Sequence, residues 1–241
     1  MNLIIDIGNT RIKYALFESQ KLIHLESTSD FDLPLITKWV EDYPIKSAIV
    51  SDVRDVRHQI EADLMKLLSK VLFLDEKTTL PINNSYRTPE TLGKDRIAAV
   101  VGAWSRFPNR NSLVIDAGTA ITYDFIDQTG TYLGGNISPG LQTRFRALHD
   151  YTGKLPLLEV KAVEEEIGKD TTNAIQSGVG LGLTFEVEKY ISHFSEKYHD
   201  LHVIITGGDA VFFETILKNS IFVDLNVTLI GLNRILIDND K

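Results

Sequence analysis

The chain has 241 residues, of which 43% are hydrophobic and 24% charged, a balance typical of a soluble globular protein with room for two ordinary domains. Its formal net charge of −8 argues against a nucleic-acid-binding protein, which usually carries a basic face. The sequence contains no cysteine, which excludes disulfides, thiol chemistry and thiolate metal sites.

Nothing in the sequence indicates a membrane protein. No apolar run approaches the roughly 20 residues that a membrane-spanning helix needs. The first residues lead directly into a predicted strand and do not have the layout of a signal peptide. We therefore expect a cytoplasmic protein with no membrane partner.

The N-terminal stretch predicts a hairpin with a polar turn. An apolar run at residues 3–7 predicts a buried strand, the Gly8-Asn9 pair predicts a turn, and alternating residues from 12 to 16 predict a second strand. The turn amides, the Thr10 hydroxyl and the Lys13 ammonium suit phosphate oxygens. A carboxylate at Asp6 beside a phosphate then implies a divalent cation between the two. The alternative is an ordinary hairpin capped by Asp6, and this stretch alone does not decide between them.

The same plan recurs in the second half of the chain. Residues 113–125 again give an apolar strand, an Asp-x-Gly-x-Thr turn and a second strand, which makes Asp116 the equivalent of Asp6. A third apolar run ends in Gly207-Gly208-Asp209. Three glycine-marked strand ends suggest a nucleotide held between two similar halves.

Between the two hairpins the sequence predicts alternating strands and helices. Strands are expected at residues 21–25, 47–51 and 71–74, and helices near 33–43 and 60–68. The opening meander should be antiparallel, and the alternating part should be parallel with helical crossovers. The polar stretch 78–95 is too long for a simple connector, and such loops are often functional.

A small, apolar helix is predicted at residues 97–104, directly after Asp95 and Arg96. The helix dipole stabilises a carboxylate in the first turn, and the adjacent guanidinium favours its ionised form. Alternatively, Asp95 is only an N-cap and Arg96 a solvated charge. Because the helix has no polar face, it must be covered on every side. The candidate covers are the helix that begins at Thr171, from this chain or a partner, and the chain's own second lobe.

The second half repeats the order of the first. Its predicted strands are 112–116, 121–126, 132–137, 202–206 and a short one near Phe222, and its predicted helices are 141–149, 171–198, 209–217 and 232–237. Residues 153–168 should be irregular, with the acidic run 164–166 a solvated surface. The sequence thus predicts an α/β protein of two duplicated ribonuclease-H-like lobes, 1–108 and 109–241, with mixed sheets, the actin-like ATPase fold and a cleft between the lobes. No P-loop motif is present.

Six motifs together resemble the type III pantothenate kinases, nearly from end to end. They are Asp6-Ile7-Gly8-Asn9-Thr10-x-x-Lys13, Gly93-Lys94-Asp95-Arg96, Asp116-Ala117-Gly118-Thr119-Ala120, Gly134-Gly135-x-Ile137-x-Pro139-Gly140, Gly168-Lys169-Asp170-Thr171 and Gly207-Gly208-Asp209. Each motif alone is weak, but all six in this order are specific. The departures are mild: Ile7, Lys94 and Asp170 stand where Val, Ala and Asn are frequent.

The resemblance implies ATP-dependent phosphorylation of pantothenate on its primary hydroxyl, the first step towards coenzyme A, by a homodimer. It implies that Asp95 is the catalytic base and that Asp116 holds a potassium or ammonium ion. From their charge alone, Asp6 and Asp116 together concentrate negative charge where Mg²⁺ and a monovalent ion could bridge to the phosphates. The implied ATP contacts are Asp6, Ile7, Gly8, Asn9, Thr10, Arg11, Ile12, Lys13 and Thr119. The implied pantothenate contacts are Tyr86, Gly93, Lys94, Asp95, Arg96 and Thr171.

The chemistry is consistent with these residue types. Phosphoryl transfer depends mainly on positioning and charge neutralisation, and an alcohol needs a carboxylate to accept its proton. Arg96 offers a partner for an anionic substrate. Two alternatives stay open: a regulator of the same family that binds ATP without chemistry, and another kinase or phosphatase of the superfamily. The intact Asp6, Asp95, Arg96 and Asp116 favour the kinase, because a sensor needs no base.

Overall fold

The computed structural model describes residues 1–161, 163 and 165–240. These residues form two compact units. The first contains 1–108, 130–132 and 226–240, and the second contains the described residues of 109–129 and 133–225. The predicted lobes, 1–108 and 109–241, differ from these units in two short segments and stay a prediction.

The first unit is built on a five-stranded mixed sheet. Its strands are β1 (Asn2–Ile7), β2 (Ile12–Glu18), β3 (Lys21–Thr28), β4 (Ser47–Asp52) and β5 (Val71–Phe73), in the order β3-β2-β1-β4-β5. The β1, β2 and β3 meander is antiparallel, whereas β4 pairs in parallel with β1 and with β5. This confirms the predicted switch from antiparallel to parallel pairing. Because β1 and β4 are parallel, the chain leaves both at the same edge of the sheet.

Four helices complete the first unit: α1 (Leu33–Asp42), α2 (Arg57–Leu67), α3 (Lys94–Arg106) and α7 (Val227–Asn239). The Asp32 carboxylate caps α1 by accepting from the Leu35 amide at 2.9 Å. Ile36 and Trp39 of α1 then pack into an apolar cluster with the side chains of β1 and β2. Amphipathic spacing and a side-chain cap therefore account for this helix.

The helix α3 is buried all round, and α7 packs along it. Residues 96–103 are all buried. The crossing is close because each helix has a glycine at it: a Cβ at Gly102 would overlap the carbonyl oxygen of Val227, and one at Gly231 would overlap that of Ala98. Of the two predicted covers, the chain's own second lobe agrees with the structure, because α7 falls within the predicted lobe 109–241 and packs on α3 where the helix from Thr171 was the other candidate. The predicted helix 232–237 also starts too late, since α7 begins at Val227. Gly231, which in a sequence suggests the end of a helix, lies inside α7 and permits the close contact with α3.

The second unit repeats the plan of the first. Its strands are β7 (Ser112–Ala117), β8 (Ala120–Ile126), β9 (Thr131–Pro139), β10 (His202–Thr206) and β11 (Phe222–Val223), in the order β9-β8-β7-β10-β11. The pair β7 and β8 is antiparallel, and β10 is parallel to β7 and β11. Strand for strand, this is the order of the first sheet, so the duplication read from the motifs extends to the whole topology.

The helices of the second unit are α4 (Leu141–Asp150), α5 (Thr171–Lys197) and α6 (Ala210–Ile216). Its apolar core joins β7 and β10 to one side of α5 through residues such as Ile115, Val187 and Ile205. A further short strand, β6 (Asn83–Asn84), lies within the predicted loop 78–95 and pairs with Thr131 and Tyr132 at the start of β9. These two residues group with the first unit.

Candidate functional site

The N-terminal turn lies where β1 ends. The Gly8 amide donates to the Arg11 carbonyl at 3.0 Å, which closes the turn between β1 and β2. Asn9, Thr10 and Arg11 are exposed in this turn. Ile7 and Ile12, by contrast, pack into the apolar core, so only their backbone is available to a phosphate.

Asp6 is a buried carboxylate whose environment fits a cation. Its side chain is 9% exposed, and Oδ1 has no hydrogen-bond partner among the described residues. It lies opposite Lys13 across the β1–β2 pair and opposite Ser51 across the β1–β4 pair. Burial raises the pKa of Asp6 to about 6, with Lys13 and Ser51 opposing the rise and Asp95 adding to it. An orphaned carboxylate oxygen is the kind of ligand that Mg²⁺ takes.

Asp95 lies in the first turn of α3, and it is not the N-cap. Gly93 holds the N-cap position, and Asp95 Oδ1 accepts from the Arg96 amide at 2.8 Å. A Cβ on Gly93 would lie 2.6 Å from that same oxygen, so the glycine leaves the carboxylate room. Asp95 also adds to the raised pKa of Asp6, and both carboxylates belong to the first unit. The N-cap interpretation of Asp95 is wrong.

Arg96 is 6% exposed, which shows that the solvated-charge interpretation is also wrong. Its guanidinium carbon lies 5.5 Å from the centre of the Tyr86 ring, within the range of a cation–π contact. Tyr86 in turn stacks on Tyr132, with ring centres 6.1 Å apart and planes 11° from parallel. The first unit therefore brings Tyr86 and the Gly93–Arg96 segment together, with Lys94 half-buried at the start of α3.

In the second unit, Asp116 is covered by the third glycine motif. Gly207 has a φ of +93°, and a Cβ on it would lie 2.5 Å from Asp116 Oδ1. The Asp209 amide donates to the Ala117 carbonyl at 2.9 Å, which fixes this turn over the end of β7. Burial raises the pKa of Asp209. Two carboxylates thus belong to the adjoining ends of β7 and β10, an arrangement suited to a cation.

The Thr119 turn is fastened to the start of α4. The Thr119 carbonyl accepts from the Gly140 amide at 3.0 Å and from the Thr143 hydroxyl at 2.6 Å. A Cβ at Gly140 would overlap the Gly118 carbonyl, so only glycine permits this approach. Thr119 is exposed, and Thr171, also exposed, begins α5 after its Asp170 cap. Within the acidic run 164–166, Glu164 lies outside the described residues.

Sequence reasoning missed two arginines that contact these turns. Arg54 Nε donates to the Gly8 carbonyl at 2.6 Å. Arg144 Nε donates to the Pro139 carbonyl at 2.8 Å, and its Nη2 donates to Glu186 Oε2 at 2.6 Å. The signal for Arg54 was present, because parallel pairing of β1 and β4 puts the residues after both strands at one edge. Arg144 and Glu186 meet across 42 residues of chain, and no local sequence pattern predicts that contact.

Solved structures of similar fold indicate the fold class of this protein. A conserved Campylobacter jejuni protein ascribed to the Baf family of transcriptional activators aligns with a TM-score of 0.65 and 21% identity over 99% of this chain and 98% of its own. The activator of 2-hydroxyisocaproyl-CoA dehydratase from Clostridium difficile, with bound ADPNP, aligns with a TM-score of 0.54 and 12% identity over 99% and 94%. At these identities the likeness concerns the fold alone. It confirms the predicted actin-like ATPase fold, and the repeated Asp-x-Gly turns fit that class.

The family follows from the sequence comparisons. A family model described as type III pantothenate kinase matches residues 2–193. A type III pantothenate kinase of Bacteroides fragilis is 49% identical over 98% of this chain and 97% of its own, and one of Phocaeicola vulgatus is 45% identical over all of both chains. The chain belongs to the type III pantothenate kinase family.

Proposed function

We propose that this chain phosphorylates pantothenate by holding its primary hydroxyl beside Asp95 and the phosphates of ATP at the turn that follows Asp6. The reaction is the one that names the family: ATP-dependent conversion of pantothenate to 4'-phosphopantothenate, the first step of coenzyme A biosynthesis. The observation that carries the site assignment is the buried Asp6 Oδ1, which has no hydrogen-bond partner among the described residues, in the same compact unit as Asp95 in the first turn of α3.

ATP and a divalent metal are implied by the kinase family, and the first unit offers them a place. Asn9 and Thr10 are exposed in the turn, and their backbone amides, together with the ammonium of Lys13, are groups of the kind that bind phosphate oxygens. Mg²⁺, when bound, neutralises charge that develops on the phosphates. Asp6 is the proposed ligand because its Oδ1 is buried without a hydrogen-bond partner among the described residues. Only the backbone of Ile7 and Ile12 can take part, because both side chains lie in the core.

Asp95 is the proposed general base. As the pantothenate oxygen forms its bond to the γ-phosphorus, the bond from that phosphorus to the β,γ-bridging oxygen breaks and ADP leaves. The hydroxyl proton passes to the Asp95 carboxylate, which the α3 N-terminus and the Arg96 amide hold ready. Arg96, held against Tyr86, is the proposed partner for the pantothenate carboxylate, because a buried guanidinium binds such a group strongly.

In the second unit, we assign Asp116 to a potassium or ammonium ion and Thr119 to the ATP phosphates, as the family resemblance implies. The covered position of Asp116 below Gly207 supports this assignment. Thr171, exposed at the start of α5, is a proposed pantothenate contact. The homodimer and the cytoplasmic location stay predictions. No helix in the described ranges has both the length and the apolar content needed to cross a bilayer.

A coupled assay of ADP release tests the reaction and the ion together. We expect release that requires both pantothenate and Mg²⁺, and that falls sharply when sodium replaces potassium or ammonium. Asp116→Ala should lose the response to the monovalent ion. Equal rates in all three salts would remove the ion from Asp116, while folded protein that binds ATP with no pantothenate-dependent turnover would instead indicate a regulator.

A further inference from the structure

Arg54 makes the side-chain contact to the Gly8 carbonyl in the proposed phosphate-binding turn. Its Nε lies 2.6 Å from the Gly8 carbonyl oxygen, and its Nη1 donates to the Ser29 carbonyl at 3.1 Å. The side chain is half-buried, and all these groups belong to the first unit. A charged donor at this distance makes a stronger bond than a neutral one, so the Gly8 carbonyl is held in one direction.

The segment that carries Arg54 is itself fixed. The Asp52 carboxylate accepts from three backbone amides, those of Arg54 at 2.8 Å, Val56 at 2.7 Å and Arg57 at 3.0 Å. The Val53 amide donates to the Ile7 carbonyl at 3.2 Å, which ties this loop to the end of β1. The guanidinium therefore reaches the turn from a rigid base and not from a freely moving loop.

Holding the Gly8 carbonyl also orients the next amide. The peptide bonds of the described residues are trans, and in a planar trans peptide the C=O and N–H point in opposite directions. The Asn9 N–H therefore points away from Arg54 whenever the Gly8 carbonyl points towards it. The positive charge on one side of the peptide also polarises it, which strengthens the N–H as a donor.

We propose that Arg54 is a positioning residue for ATP: through the Gly8–Asn9 peptide it aims the Asn9 amide at a phosphate oxygen. This inference rests on the proposed role of the turn in binding ATP. It assigns Arg54 no contact with the nucleotide, so its effect should require a donor at the Nε position, which a positive charge placed elsewhere cannot replace.

Replacing Arg54 with Met, Gln or Lys separates the effect of a donor at the Nε position from the effect of the positive charge. Glutamine places its N–H₂ the same number of bonds from the backbone as arginine Nε, but carries no charge, whereas lysine keeps the charge beyond that point. For Arg54→Met we expect the KM for ATP to rise roughly tenfold, the effect of losing one charge-assisted hydrogen bond, with kcat and the KM for pantothenate little changed. Arg54→Gln should recover most of the loss, and Arg54→Lys little of it.

Two further variants serve as controls for the change in the KM for ATP. Arg57→Met removes a nearby arginine that pairs with Glu61 at 3.0 Å and covers the Phe73 ring, and it should leave the KM for ATP unchanged. Lys13→Met reports on the proposed ATP site itself. If Lys13→Met raises the KM for ATP but Arg54→Met does not, or if Lys and not Gln restores binding at Arg54, the positioning role is overturned while the proposed function stands. If Lys13→Met has no effect, the proposed site fails and this inference fails with it.

Discussion

Asp6 and Asp95 are both carboxylates near the proposed reaction, but their surroundings differ. Asp6 is buried with one oxygen unpartnered among the described residues, and burial raises its pKa to about 6. Asp95 accepts a hydrogen bond from the Arg96 amide at the start of a helix. Burying a carboxylate with one oxygen unpartnered costs stability, which is tolerable where a bound cation later completes the site.

The raised pKa of Asp6 gives a prediction for stability against pH. Because the native pKa of about 6 exceeds the ordinary 3.8, the folded protein binds the extra proton between these values. Folding stability from this group is thus complete below about pH 4 and is lost as the pH rises through about 6. In the absence of Mg²⁺ and nucleotide, Asp6→Asn should not show this loss. The free energy of unfolding of Asp6→Asn, measured relative to that of the wild type, should rise by up to about 3 kcal/mol between about pH 4 and 7.

Urea unfolding of both proteins across that pH range measures the difference, and the remaining titrating groups largely cancel because they are common to both. Glu61→Gln is a control of opposite sign, since Arg57 lowers the pKa of that carboxylate and its contribution to stability is lost as the pH falls, not as it rises. A constant difference between wild type and Asp6→Asn would mean that Asp6 keeps its ordinary pKa in the native state.

Asp95→Asn tests the proposed base directly. The amide keeps the shape and can still accept from the Arg96 amide, but it cannot take the proton from the pantothenate hydroxyl. We expect kcat to fall roughly 10²–10⁴-fold, the usual contribution of a general base, with little change in ATP binding. Steady-state rates and calorimetric titration with ATP measure the two quantities. Asp63→Asn, at an exposed partner of Lys66, is the matched control, and a near-normal kcat for Asp95→Asn would remove this residue from the mechanism.

At the scale of elements, the sequence predicts the strands well because each is an apolar run closed by glycine or a polar turn. It also predicts the turns that carry Asp6 and Asp116, since both interrupt such runs. It does not predict β6, which is only two residues long and polar, so its pairing depends on the distant Thr131. The Arg54 contact was missed for the related reason that a side chain's partner across a sheet edge depends on topology, not on local pattern.

The close crossing of α3 and α7 predicts that adding one methyl group to either of its glycines lowers stability strongly. At Gly102 and at Gly231 a Cβ would overlap a backbone carbonyl of the other helix, and helix backbone cannot yield as a side chain can. Gly102→Ala and Gly231→Ala should each lower the free energy of unfolding by about 1–3 kcal/mol or more, the cost of overpacking a core. Chemical denaturation of each variant measures the loss.

Gly182→Ala on α5 is the matched control within the single chain, because that helical glycine has no heavy atom of this chain within 4 Å of the added methyl group. It is measured at a protein concentration low enough to keep the chain monomeric, since this side of α5 is also where a dimer contact is tested. There the intrinsic preference of a helix for alanine should raise stability by about 0.5–1 kcal/mol. If the Gly102 and Gly231 variants behave like Gly182→Ala, the two helices are not as close as the structure has them.

At the scale of the whole molecule, the two units share one strand order, and each ends its first strand in an Asp-x-Gly turn. The sequence predicts this duplication because the motifs occur twice. It does not predict that residues 226–240 group with the first unit, because chain order alone assigns them to the second half. The grouping follows from the contact of α7 with α3, which depends on a glycine in each helix. In a sequence, a glycine indicates a break in a helix as readily as a close helix crossing.

The protein is expected to form a homodimer in solution. The coverage of α3 by α7 removes the need for a partner at that helix, so the family resemblance carries the prediction. The exposed side of α5 is the place to test it: Phe185 is 57% exposed there, and Gly178 and Gly182 face open space. Light scattering at micromolar concentration should give twice the chain mass of 27.1 kDa, consistent with an interface of about 2,000 Å² or more. Phe185→Lys should shift the mass towards one chain, whereas Met65→Lys, at a residue 55% exposed on α2, should not. A wild-type protein that is monomeric and fully active would exclude a pantothenate site that depends on a second subunit.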